Sequence, residues 1–198
     1  MHNKPLKVGI TGIFGSGKTT VSLMFEKEGI PVISCDEIVH RVLRKKKIIR
    51  EIKSALGNSV FEKGILSRKK IARIVFEEEA KRENLEGILH PEVFREIERK
   101  IFDCGKKNDI IVIEIPLLFE TKSEKLFDIT IVVSSTLAKI KERLKAKFHE
   151  DEILERWNNQ IALKEKERKA DYVIHNSGSY CKTLQQVRNL IERLKREI

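Results

Sequence analysis

Five short apolar runs punctuate the chain: "LKVGI" at 6–10, "IPVIS" at 30–34, "DIIVIEI" at 109–115, "DITIVV" at 128–133 and "DYVIH" at 171–175. They are β-branched and nearly continuous rather than alternating, the pattern of strands covered on both faces of a parallel sheet. Between them, apolar positions recur three and four apart: Val21, Met24 and Phe25; Ile71, Ile74 and Val75; Val187, Leu190, Ile191 and Leu194. That spacing keeps one face of a helix apolar. Strands alternating with helices predict an α/β fold, a five-stranded parallel sheet with right-handed crossovers.

Two connections exceed the dozen or so residues that a crossover needs. The first, 35–108, is helical in pattern, with breaks expected at "GNSVFEKG" (57–64) and at His90-Pro91. It reads as a helical insertion able to form one wall of a cleft. The second, 136–170, is highly charged and carries a thin stripe of Leu137, Ile140, Leu144, Ile153, Trp157 and Ile161. A movable helical hairpin, packed lightly on the core, is expected there. The expected organisation is a core from 1–36, 109–135 and 171–198, a helical domain at 37–108 and a mobile segment at 136–170.

Composition narrows the class. Across 198 residues, 40% hydrophobic and 35% charged positions describe a soluble globular chain with enough apolar material for a sizeable core. No run reaches the roughly 18 apolar residues of a membrane helix. The opening "MHNKPLK" is not followed by the apolar region of a secretion signal. Cys35, Cys104 and Cys181 are odd in number, far apart and in no metal-ligand spacing, as in a reduced, cytoplasmic protein.

Lys and Arg number 40 against 30 Asp and Glu, a net charge of +10. The surplus attracts anions without choosing among nucleic acid, acidic lipid and phosphorylated small molecules. The densest basic stretch, "HRVLRKKKIIREIK" (40–53), retains an apolar set of Val42, Leu43, Ile48, Ile49 and Ile52, so it reads as a solvated helix face. Aromatic residues make up 6% of the chain and do not interleave with it as a base-stacking surface requires.

The most specific stretch is "GITGIFGSGKTT" (9–20), where Gly12, Gly17, Lys18 and Thr19 satisfy G-x-x-x-x-G-K-[ST] between an apolar strand and an amphipathic helix. Glycines allow positive φ, so successive N–H groups can line one concavity for phosphate oxygens. The following helix adds the positive end of its dipole. Gly12, Ile13, Phe14, Gly15, Ser16, Gly17, Lys18, Thr19 and Thr20 are therefore the candidate triphosphate loop. Lys18 is expected to bridge the terminal phosphates and the Thr19 hydroxyl to hold Mg²⁺.

Neither N-K-x-D nor a D-E-x-x box at the end of the third run is present, which argues against a guanine-specific GTPase and a helicase. Glu114 is the acidic residue of that run and a candidate Mg²⁺ partner. Asp36, in "SCDEIVH", falls where the second strand ends, at the sheet edge that binds ligands in open α/β folds. It is either a base for an acceptor hydroxyl or an ordinary helix N-cap, and spacing leaves both open.

The loop, "IPVISCDEIVHRVL", "LHP" (89–91), "IEIPLLFE" (113–120), "ERLKAK" (142–147), "RWNNQ" (156–160) and "ADYVIHNSG" (170–178) together resemble the dephospho-CoA kinase family over nearly the whole chain. The resemblance implies a P-loop kinase core, a helical CoA-binding insertion and a helical lid. It also implies ATP-dependent phosphorylation of the ribose 3′-hydroxyl of dephospho-CoA, with ATP and Mg²⁺ and without nucleic acid or membrane. A monomer or weak oligomer is expected.

Lys18, Asp36 and Arg143 are the implied catalytic residues, and Arg156, with Gln160 one helical turn on, and Asn176 join the loop at the nucleotide. Asp36, His90, Leu117, Phe119 and Glu120 are implied on the substrate side, and Thr19 and Glu114 at the metal. Five positions depart from the family pattern. Ile13-Phe14 replaces Gly-Ile, Ser34 stands where an Asp is usual, Glu114 replaces Asp, and Lys147 replaces a second lid arginine and loses its planar fork. The alternatives are a P-loop kinase for another acceptor, or a nucleotide-dependent nucleic-acid-binding protein.

Overall fold

The computed structural model describes residues 4–198; Met1, His2 and Asn3, which open "MHNKPLK", lie outside the described residues. From the N-terminus come β1 (Leu6–Gly12), α1 (Lys18–Lys27), β2 (Val32–Ser34), α2 (Cys35–Val42), α3 (Lys46–Leu56), β3 (Phe61–Glu62), β4 (Ile65–Leu66), α4 (Arg68–Glu77) and α5 (Glu79–Gly105). After these follow β5 (Ile110–Glu114), β6 (Ile129–Ser134), α6 (Leu137–Leu144), α7 (Glu150–Asn158), α8 (Leu163–Lys169), β7 (Tyr172–His175) and α9 (Tyr180–Leu194).

The five predicted strands form one parallel sheet in the order β2-β5-β1-β6-β7. All of β5 and β6 is buried, as their continuous apolar runs require. β2 begins at Val32 rather than Ile30. Pro31 has no N–H for the ladder, which confines it to the start of an edge strand, although its carbonyl still accepts from Val112 N.

The chain divides into two compact units, Met1–Ser34 with Ile101–Ile198, and Cys35–Lys100. In the first, α1 and α9 bury Val21, Met24, Phe25, Val187, Leu190, Ile191 and Leu194 against Val8, Ile10, Val112, Ile131 and Val133 of the sheet. Each such side chain contributes about 1.5–3 kcal/mol. This packing fixes the junction between β1 and α1.

In the second unit the basic stretch splits into α2 and α3, whose Ile38, Val42, Ile48, Ile52 and Leu56 are buried. The break expected at 57–64 is a hairpin, β3 paired with β4, turning at Lys63 and Gly64 with φ of 49° and 79°. A two-residue loop with positive φ at both positions matches the right-handed twist of the strands. The break expected at His90-Pro91 does not occur: α5 runs through Pro91. Proline removes one helical hydrogen bond and crowds the carbonyl four residues back. Here that residue is Gly87, where even an added Cβ would meet only open space.

Leu85 before Pro91, and Val93 and Ile97 after it, are buried. Lys45 Nζ also pairs with Glu92 Oε2 at 3.0 Å and Glu96 Oε1 at 2.8 Å. Among the described residues, no helix is long and apolar enough to cross a membrane.

Candidate active site

The loop between β1 and α1 is shaped by its glycines. Gly15 and Gly17 have φ of 76° and 90°, in the left-handed region that side chains avoid. A Cβ on Gly17 would lie 2.2 Å from Asn176 Nδ2, and one on Gly15 would lie 2.7 Å from the side chains of Ile140 and Leu144. Both positions are therefore closed to other residues by conformation and by neighbours. Gly17 is the N-cap of α1 and offers no side chain to its first turn, whose leading N–H groups have no intrahelical partner, as in an anion-binding helix start.

Lys18 Nζ donates to Gly12 O at 3.0 Å, folding the ammonium group back over the loop. Thr19, one residue on, donates its hydroxyl to Glu114 Oε1 at 3.0 Å. Glu114 ends β5 and is 8% exposed. Lys18, Thr19 and the Glu114 carboxylate are thus gathered at the carboxyl ends of β1 and β5, because those strands are neighbours in the sheet. A buried carboxylate needs a partner, and the Thr19 hydroxyl supplies one.

Behind the loop, Asn176 Nδ2 donates to Ser16 O at 2.9 Å, and Asn176 Oδ1 accepts from Thr183 Oγ1 at 3.2 Å. Arg143, in the last turn of α6, donates to Ser16 O and Ser135 Oγ, each at 3.3 Å, and to Asn176 O. Both residues implied by the resemblance therefore touch the loop's backbone. Ser135 and Thr183, which support them, carried no motif in the sequence.

Over the front of the loop, Ile13 is fully buried with Ile140 and Ile153, and Leu144, Phe148, Trp157 and Leu163 pack around them. The segment 136–170 holds three helices rather than a two-helix hairpin, and it clasps a loop residue in its own apolar cluster. Phe14 meets Phe148 edge to face at 5.3 Å. The Arg156 guanidinium lies 4.8 Å from the Phe14 ring centroid and 4.5 Å from that of Phe148, an arrangement in which a cation gains from both ring faces. Gln160 Oε1 accepts the Phe14 N–H at 2.7 Å. Lys147 is exposed.

The turn after β5 separates its residues. Leu117 is 44% exposed, whereas Leu118 and Phe119 are buried. Glu120 Oε1 accepts from Ile161 N at 3.1 Å and faces Lys166 Nζ at 2.7 Å. Lys166 is fully buried, and it was not among the candidate residues from sequence. A lone lysine inside "KEKERK" has no distinguishing neighbours.

Asp36 and His90 belong to the helical unit. Asp36 is exposed in the first turn of α2. The helix starts one residue before it, at Cys35, so its carboxylate favours the positive helix end from inside the first turn rather than capping it. Burial and the Asp36 charge push the Cys35 thiol up to about 11. His90 meets Phe94 along α5, with ring centroids 5.9 Å apart.

Comparison with known proteins shows the family. The family model described as dephospho-CoA kinase matches residues 6–182. The Aquifex aeolicus dephospho-CoA kinase is 37% identical over 194 residues, covering 96% of this chain and 98% of that protein. The Listeria monocytogenes enzyme of the same name is 37% identical over 193 residues, with 94% and 96% covered. Among solved structures, TT1252 from Thermus thermophilus superposes with a TM-score of 0.89 at 30% identity, over 96% of this chain and 98% of that one. Dephospho-CoA kinase from Campylobacter jejuni gives 0.70 at 27%, with the same coverage.

Proposed function

Because the chain belongs to the dephospho-CoA kinase family, we propose that it transfers the γ-phosphoryl group of ATP to the ribose 3′-hydroxyl of dephospho-CoA, giving coenzyme A. The observation that carries the chemistry is the convergence of Lys18, Thr19 and Glu114 on a loop whose backbone is held by Asn176 and Arg143. Such a loop has its donors in place before charge develops on the phosphates.

Lys18 draws the terminal phosphates against the loop and offsets charge on the transferring group. Arg143, already seated on Ser16 O, adds a second fixed positive charge beside the loop. Asp36 orients the acceptor hydroxyl and takes its proton. The helical unit holds the acceptor. Within it, His40, Arg44 and Arg68 line a cavity of about 390 Å³ together with Leu43, Phe61 and Leu66, chemistry suited to a phosphate-bearing molecule with an apolar arm. Segment 136–170 acts as a lid that keeps water from competing with the hydroxyl.

Mg²⁺ prefers oxygen ligands and is usually held by one or two carboxylates together with phosphates. The Thr19 hydroxyl and the Glu114 carboxylate, 3.0 Å apart, fit that preference. When bound there the ion would neutralise charge shared between the β- and γ-phosphates.

The test is ADP formation from MgATP with dephospho-CoA, with other nucleotide or small-molecule acceptors, and with nucleic acid. ADP should appear with dephospho-CoA, coupled to coenzyme A, and Lys18→Ala should abolish it. ADP driven only by a different acceptor or by RNA would overturn the assignment.

A further inference from the structure

Lys166 is the charged residue on which the sequence is silent and the structure is most emphatic. Its side chain is fully buried in α8. An ammonium group taken out of water costs several kcal/mol unless a counter-charge is close. The counter-charge is Glu120, whose Oε1 lies 2.7 Å from Nζ. Among the described residues, neither Nζ nor Glu120 Oε2 makes a directed hydrogen bond, so charge rather than hydrogen-bond geometry holds the pair.

The same Glu120 Oε1 accepts the N–H of Ile161. Ile161 follows Gln160 in the four-residue link, 159–162, between α7 and α8, and Gln160 Oε1 accepts the N–H of Phe14 in the phosphate loop. A continuous chain of contacts therefore runs from the buried ammonium to the loop: Lys166, Glu120, Ile161, Gln160, Phe14. All five belong to one compact unit.

We propose that Lys166 is a positioning residue for nucleotide binding: it pins Glu120, which fixes the α7–α8 link and so presents the Gln160 side chain to the Phe14 amide. Holding that amide orients the start of the loop and leaves the N–H groups from Gly15 onward to face the phosphates. The inference rests on the loop binding ATP, but it does not depend on which acceptor is phosphorylated.

The single tryptophan, Trp157, provides the readout because it packs on the cluster that contains Ile13. MgATP is titrated into the full chain while Trp157 fluorescence is followed, and ADP formation is measured in parallel. Lys166→Met should weaken MgATP binding about tenfold to a hundredfold, the scale on which small misplacements act. Lys166→Arg should restore most of it. Gln160→Ala leaves the ion pair intact and should reproduce the binding loss without its stability cost; it decides alone if Lys166→Met does not fold.

Wild-type affinity for MgATP in Gln160→Ala would overturn the proposal. So would a Lys166→Met protein that melts earlier yet binds MgATP unchanged, since Lys166 would then serve stability only. A wild-type chain that binds MgATP normally but does not phosphorylate dephospho-CoA would sink the assigned reaction and leave this test standing.

Discussion

Ser34 and Glu114 are register partners across the parallel β2–β5 ladder, so their side chains project from the same face of the sheet. Two positions where the resemblance implies aspartate, distant in sequence, are thus neighbours in space. A carboxylate is absent at one, and the other carries a side chain one methylene longer than aspartate, reaching the Thr19 hydroxyl.

Glu114 should therefore be the main carboxylate available to Mg²⁺ on this edge. Glu114→Ala should raise the Mg²⁺ concentration for half-maximal rate by about tenfold or more, whereas Ser34→Asp, adding a charge beside it, should lower it. Rate measured against free Mg²⁺ at saturating ATP checks both directions.

Asp36 is exposed in the first turn of α2. If it takes the acceptor proton, Asp36→Asn should reduce kcat about a hundredfold or more, while MgATP binding, followed by Trp157 fluorescence, stays near wild type. An unchanged kcat would leave Asp36 as a residue that merely favours the helix end.

Ile13 is fully buried in the cluster of Ile140 and Ile153. Ile13→Ala should cost about 2–5 kcal/mol of stability, the range for truncating a buried isoleucine. Trp157 emission should shift toward the solvent-exposed value. Calorimetry and fluorescence spectra report the two effects separately.

The helical unit should respond to acid through Lys45. Its ammonium, hydrogen-bonded to Glu92 and Glu96, holds both carboxyls below the ordinary glutamate value of 4.5, against an opposing desolvation effect. Their stabilising effect is fully present above 4.5 and is lost as pH falls through the depressed values. Lys45 itself is raised above 10.5, mainly by the same two hydrogen bonds, so its share is present below 10.5 and fades as pH climbs past its folded value. Helix signal followed from pH 6 down to 2 should fall less steeply in Lys45→Met than in the wild type.

Local chemistry was legible without coordinates. A strand ending in Gly12, a Gly-Lys-Thr helix start and β-branched runs carry their backbone preferences with them, so the parallel sheet and the phosphate loop follow from the residues. One local rule failed, at His90-Pro91. Pro91 did not end its helix, and buried Leu85, Val93 and Ile97 anchor α5 before and after it. The lysine-rich 40–53 stretch spans two helices, α2 and α3, with Val42 buried in one and Ile48 in the other.

Sequence alone determined the periodicity, the turn residues and the identity of the anion-binding loop, since these depend on neighbours within a few positions. Only the tertiary structure decided that Phe14 and Gln160 share a hydrogen bond, that Ser34 opposes Glu114, and that one lysine of many is buried against Glu120. Those pairings join residues up to 146 positions apart. They arise from strand order and helix packing, and no local pattern in the chain encodes which distant side chain will fill a given space.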